Sequence, residues 1–184
     1  PIDNCIIIPQ FEDKGKVVGV RGRYLDIDAK DKYKPIVFNG KLLAHPLSKT
    51  LYGYYQNRSA IAQTKTAIIF ESEKSVLKMD SIYDRNNISV AVCGQNITRE
   101  QIQLLINIGV SNVVLAFDAD YRNYDEFGVV YEKYRQIGLP LTTYFNVTIV
   151  VDDDMNNRLL GYKDSPIDRG AEVFNKLMRK RKVL

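Results

Sequence analysis

The sequence predicts an α/β fold: a mainly parallel sheet with helices on both faces, preceded by a small β-rich basic subdomain. Three observations carry this. From Thr64 onward, continuous apolar runs alternate with helical patterns in the order strand, helix, strand, helix, strand, helix, strand. Before Thr64, short β-type runs are separated by turn dipeptides. The charge also changes sign: residues 1–65 carry 11 Lys/Arg against 6 Asp/Glu, residues 66–178 carry 11 against 16, and Arg179 to Lys182 add four cations. The division falls near residues 62–65, giving a basic part, 1–64, and an α/β part, 65–184.

Each element has its own signal. Cys5-Ile6-Ile7-Ile8 is an apolar run ended by Pro9, and Asp13-Lys14-Gly15-Lys16 is a hairpin turn leading into Val17-Val18-Gly19-Val20. Ile36-Val37-Phe38 and Lys41-Leu42-Leu43 flank Asn39-Gly40, a dipeptide of two-residue hairpins. The polar stretch 26–34 reads as a loop. Tyr52, Tyr54 and Tyr55 lie at strand spacing and read as sheet packing, with base stacking as the functional alternative. Ala67-Ile68-Ile69-Phe70 is a buried strand. A helix runs from Ser72 to about Tyr83, with Val76, Leu77 and Met79 to Ile82 inward. Ile88 to Val92 is the next strand. Thr98 with Gln101 three residues on forms a capping box for a helix that ends at Gly109. Val113 to Phe117 is the third strand, about 125–136 a longer helix, Thr142 to Val151 the fourth strand, and Asp168 to Arg181 a closing helix.

Composition narrows the function. A chain of 184 residues with 45% hydrophobic and 26% charged residues buries a substantial core. No apolar run reaches the roughly 20 residues that span a bilayer, so no membrane association is expected, and the start has no signal-peptide pattern. One histidine, His45, and two cysteines in apolar stretches, Cys5 and Cys93, cannot build a typical zinc site. The cysteines read as buried hydrophobes in a reducing, cytoplasmic setting. His45 beside Pro46 reads as a loop residue, and the cations at Arg179 to Lys182 suit a helix C-terminus.

The acidic residues are placed more tellingly. In an open parallel sheet, ligands bind beyond the carboxyl ends of the strands. Glu71 directly follows Ile68-Ile69-Phe70, and Asp118 and Asp120 follow Val114-Leu115-Ala116-Phe117. If strand geometry persists, Asp118-Ala119-Asp120 projects both carboxylates the same way. Three converging anions repel unless a cation joins them, and an all-oxygen set without His or Cys suits Mg2+ or Mn2+. Gly94, after the second strand, lets backbone approach a phosphate. Asp164 and Asp168, around Ser165-Pro166-Ile167, are placed to reach the same crevice. Asp152-Asp153-Asp154 reads as a solvated turn. Taken alone, an Asp-x-Asp pair after a strand is more often a turn or cap than a metal site.

In this order, these residues resemble the Toprim domain of bacterial and phage primases, topoisomerases and some nucleases. The matching segments are Phe70-Glu71-Ser72-Glu73-Lys74-Ser75-Val76, Cys93-Gly94-Gln95-Asn96-Ile97-Thr98 and Phe117-Asp118-Ala119-Asp120. Ser72 stands where that pattern usually has Gly, and Ser75 where it often has Asp. Upstream, Ile8-Pro9, Asp13-Lys14-Gly15, Val20-Arg21-Gly22-Arg23, Lys32-Tyr33 and Leu51-Tyr52-Gly53 are similar to the basic subdomain of DnaG-type primases. The wording Phe70 to Ser75 is most similar to primases of phages or mobile elements of Gram-positive bacteria.

The resemblance implies a DNA primase core that makes short RNA primers on a single-stranded DNA template from ribonucleoside triphosphates. It implies Glu71, Asp118 and Asp120 as catalytic metal ligands, with Asp164 and Asp168 as ligands or their neighbours. Arg21, Arg23 and Lys32 would line the path of template or triphosphate, with Lys49 a looser match, and Gly94 would lie beside phosphate. Zinc-binding and helicase-binding domains of that family fall outside these residues, so the reading expects a polymerase core of a longer protein that meets a replicative helicase elsewhere. Two alternatives stay open: a metal-dependent nuclease on the same scaffold, and a catalytically silent nucleic-acid-binding module. A topoisomerase would need a nucleophilic Tyr placed by a separate domain.

Overall fold

A computed structural model of the chain describes residues 4–25 and 32–184. The first part holds a three-stranded antiparallel sheet of β1 (Cys5–Phe11), β2 (Val17–Tyr24) and β3 (Tyr33–Pro35), followed by a small hairpin of β4 (Val37–Phe38) and β5 (Lys41–Leu42). The β4–β5 turn is the expected Asn39-Gly40, both residues at positive φ (47° and 73°), as a tight hairpin of matching twist requires. Pro9 does not end the first strand. It pairs opposite Val20 inside β1, where an edge strand can spare the missing N–H. Of the expected loop, 26–31 lie outside the described residues, and Tyr33–Pro35 is strand rather than loop because it pairs with Arg21–Arg23.

The larger sheet contains β6 (Thr66–Phe70), β7 (Ser89–Ala91), β8 (Asn112–Leu115), β9 (Asn146–Ile149) and β10 (Lys182–Val183) in the order β10-β9-β8-β6-β7. The pairs β6–β7, β6–β8 and β8–β9 are parallel, and β10 is an antiparallel edge. Among the described residues, five α-helices accompany it: α1 (Tyr54–Thr64), α2 (Glu73–Tyr83), α3 (Arg99–Asn107), α4 (Tyr124–Gly138) and α5 (Ala171–Arg179). Strand side chains alternate between two cores. Ala67, Ile69, Val113 and Leu115 pack with Ile61 of α1, Leu105 of α3 and Tyr134 of α4. Ile68, Phe70 and Val114 pack with Val76 and Met79 of α2 and Phe174 and Leu177 of α5. Burial on both faces explains the continuous apolar runs, each large side chain contributing about 1.5–3 kcal/mol over exposure. Among the described residues, no helix is long and apolar enough to cross a membrane.

Several boundaries differ from the sequence reading. Tyr52 packs on the sheet as expected, bridging Ala91, but Tyr54 and Tyr55 open helix α1 instead of a strand. The buried positions of α1 are Tyr54, Asn57 and Ile61, and the polar Asn57, whose Nδ2 donates to Ser89 O at 2.9 Å, breaks the apolar stripe. Leu77 and Ile82 face outward on α2 while Val76 and Met79 face in. Residues Leu139–Thr143 form a 3-10 turn, so the fourth strand starts at Asn146 rather than Thr142. The closing helix begins at Ala171, because Asp168 is engaged in a turn whose N–H reaches Ser165 O. The Thr98–Gln101 capping box is present with both of its hydrogen bonds.

Candidate active site

The strand order places a switch point at β6. The chain leaves β6 for β7 on one side, then returns to β8 on the other, so the crossovers diverge and open a crevice at the carboxyl ends of β6 and β8. Glu71 follows β6, and Asp118 and Asp120 lie on the loop after β8. The ladder continues one step past β8, where Ala116 N donates to Ile69 O at 2.9 Å. Strand geometry then stops: Asp120 N donates to Asp118 O at 2.8 Å in a tight turn. That turn is braced from outside, with Ala119 N donating to Asp164 O and Lys163 N to Ala119 O, both at 2.8 Å.

Glu71, Asp118 and Asp120 line one cavity of about 190 Å³ together with Gln95, Lys133, Tyr134 and Lys163. The Tyr134 hydroxyl donates to Asp118 O at 2.6 Å and lies 3.4 Å from Glu71 Oε1, while its ring meets Phe117 edge-on at 5.2 Å. Burial and the neighbouring Glu71 hold the Tyr134 phenol well above its ordinary range, so it stays a neutral donor. Asp118 N donates to Glu71 Oε1 at 3.3 Å, tying the two strand ends together. Lys133 Nζ donates to Gln95 Oε1 at 3.1 Å, and Lys163 Nζ lies 4.0 Å from Asp120 Oδ1.

Electrostatically, this crevice penalises its own carboxylates. Burial, then the charge of Glu71, pushes Asp118 up to about 7, and burial also raises Glu71 against the opposing hydrogen bond from Asp118 N. Asp118 Oδ1 is buried with no hydrogen-bond partner in the protein. An unpartnered buried carboxylate oxygen facing other carboxylates suits a hard cation. Among the described residues no three His, Cys, Asp or Glu side chains close into a metal cage. An ion such as Mg2+ would need only one or two of these carboxylates and would complete its shell with water and phosphate.

The remaining candidates do not line this cavity. Asp164 Oδ2 accepts from Gly161 N at 2.7 Å and Arg169 Nε at 2.6 Å. Asp168 is gripped by Lys74 at 2.6 Å and Lys78 at 2.8 Å; burial would raise its carboxyl, but these cations outweigh it and hold it below the usual range. Neither lines the cavity. Gly94 is exposed beside Gln95 with open space around it, and the left-handed conformation falls on Cys93 (φ 57°) instead. Arg21 pairs with the buried Glu73. Arg21 and Arg23 both lie over the Tyr33 ring, and Arg23 donates to its hydroxyl at 2.7 Å. Lys32 and Lys49 are exposed, and none of these four cations lines the carboxylate cavity. Lys133, Tyr134 and Lys163 were not foreseen as site residues, and Gln95 was foreseen only as part of the Gly94 segment; Lys133 and Tyr134 reach the cavity because α4 packs on β9 and the Tyr134 ring meets Phe117 beyond β8.

No family model matches the chain. The SPbeta prophage-derived uncharacterized protein YorJ of Bacillus subtilis is 34% identical over 194 residues, covering 98% of the chain and 50% of YorJ. A DNA primase of Halalkalibacterium halodurans is 34% identical over 122 residues, covering 64% of the chain and 18% of that protein. The chain thus spans half of the one relative and under a fifth of the other. Among solved structures, the zinc-binding and RNA polymerase domains of the Aquifex aeolicus primase share the fold with a TM-score of 0.70 at 21% identity, covering 98% of the chain and 41% of that structure. The chain is thus similar in sequence to a prophage protein along 98% of its length and to a DNA primase along 64%, and it shares the fold of solved primase catalytic cores along 98%.

Proposed function

We propose that the chain is the RNA polymerase core of a primase, joining ribonucleotides on single-stranded DNA with Mg2+ or Mn2+ at Glu71, Asp118 and Asp120. The observation that carries this reading is the convergence of these three carboxylates on one cavity at the switch point, with Asp118 Oδ1 unpartnered. A bound divalent ion would neutralise this site and polarise phosphate there. In the reaction, a primer 3′-hydroxyl attacks the α-phosphate of a nucleoside triphosphate; the new P–O bond forms as the bond to pyrophosphate breaks, and the hydroxyl proton is released.

The chain's own groups have defined parts. Lys133 and Lys163 offset two of the three carboxylate charges and draw phosphate oxygens toward the cavity. Tyr134 fixes the loop carrying Asp118 by a neutral hydrogen bond, adding no charge. Exposed Lys32 and Lys49, with Arg23, would hold template backbone without reading sequence, so binding should weaken steeply with salt. Residues 1–64 would serve as the basic, template-facing unit and 65–184 as the metal-binding one.

The test compares labelled ribonucleotide incorporation on single-stranded DNA with cleavage of the same strand. Metal-dependent incorporation that Asp118→Asn abolishes supports primase. Strand cleavage without incorporation identifies a nuclease. DNA binding with neither reaction, unchanged in Asp118→Asn, leaves a binding module.

A further inference from the structure

Asp168, close to the acidic cavity without lining it, is already held by the protein's own cations. Lys74 and Lys78 lie one turn apart on α2, and their ammonium groups reach opposite oxygens of Asp168, Oδ2 at 2.6 Å and Oδ1 at 2.8 Å. Oδ2 also accepts from Ser165 N at 3.0 Å. On the same face of α2, the buried Ser75 hydroxyl donates to the Ser165 hydroxyl at 2.9 Å. Residues 74, 75 and 78 thus dock the 165–168 turn onto α2; Oδ2 is hydrogen-bonded, while Oδ1 has the Lys78 ion pair but no hydrogen bond. Lys74 follows Glu71 by three residues, and the charges of both Lys74 and Asp168 are felt at Asp118. The pair therefore borders the candidate metal site.

A divalent ion binding at Asp168 would have to displace two ammonium groups from a nearly buried carboxylate. Releasing one partner of such a pair is costly, because it leaves a desolvated charge behind. The lysines also supply what a second ion would: positive charge beside Asp118, on side chains held by a helix. We propose that Lys74, seconded by Lys78, is a built-in cation of this cleft. It takes the Asp168 carboxylate, so the chain loads one divalent ion, at Glu71, Asp118 and Asp120, where the family resemblance implies two or three. This rests on the metal-site reading above.

Counting bound Mn2+ by electron paramagnetic resonance, with Mn2+ as the probe and no nucleotide, tests it. The wild-type chain should bind one Mn2+, with affinity changed less than about twofold by Asp168→Asn and lost in Asp118→Asn. The double variant Lys74→Met, Lys78→Met, which frees Asp168, should gain a second ion. Two ions on the wild-type chain, one of them lost in Asp168→Asn, would overturn the proposal while leaving the metal site intact. So would a double variant that still binds one. A wild-type chain that binds no Mn2+ refutes the metal site itself and this proposal with it, a result recognisable because Asp118→Asn then changes nothing.

Discussion

Asp118→Asn should make the metal-free chain more stable at pH 8 and leave it nearly unchanged at pH 4. Asp118 is raised from its ordinary 3.8 to about 7, first by burial and then by Glu71. Below pH 4 the carboxyl is protonated in both folded and unfolded chains and contributes no difference. Between about 4 and 7 the unfolded chain releases the proton while the folded chain keeps it, so stability falls as pH rises. Above 7 the folded chain carries the full cost of a buried, crowded charge. The displacement corresponds to about 4 kcal/mol at roughly 1.4 kcal/mol per pH unit. At about 2–4 °C per kcal/mol for a chain of this length, the variant should melt roughly 8–16 °C above wild type at pH 8. Circular-dichroism melts of both proteins in chelator at pH 4, 6 and 8 measure this, and the difference between them cancels other titrating groups. Adding Mn2+ at pH 8 should then raise the wild-type melting temperature and not the variant's. A gap that does not change between pH 4 and pH 8 would refute the reasoning, because the Asp118 charge would then cost the fold nothing.

Two further outcomes follow from single contacts. Glu73 is buried and holds Arg21 and Gln10, so Glu73→Ala strands a largely buried guanidinium and should cost about 3 kcal/mol in urea denaturation, with a lower midpoint at an unchanged slope. Thr98 caps α3 and its hydroxyl also donates to Ser48 O at 2.6 Å; Thr98→Ala should cost about 1–2 kcal/mol, read as a drop in melting temperature, and Thr98→Ser should restore most of it.

The order of elements was legible because it follows from local rules. Runs such as Ala67 to Phe70 must be buried on both faces, Thr98 with Gln101 can only open a helix, and Asn39-Gly40 suits one kind of hairpin. Where polar residues did a core residue's work, the local signal failed. Asn57 hid α1, and Tyr33 to Pro35 became a strand through pairing with β2 rather than through its own composition. The edge strand β10 has only two residues and exists because β9 offers it a free edge.

The sequence by itself determined that Glu71, Asp118 and Asp120 sit at strand ends, since position after an apolar run needs no knowledge of neighbours. Only the tertiary structure decided that β6 and β8 are adjacent, and hence that these carboxylates share one cavity with Lys133, Tyr134 and Lys163. It also gave Asp168 cationic partners of its own. In sequence, Asp168 is one more carboxylate near a strand end. In space, two lysines more than 89 residues away claim both its oxygens. Charge pairing over that separation depends on where α2 comes to rest, and local pattern carries no record of it.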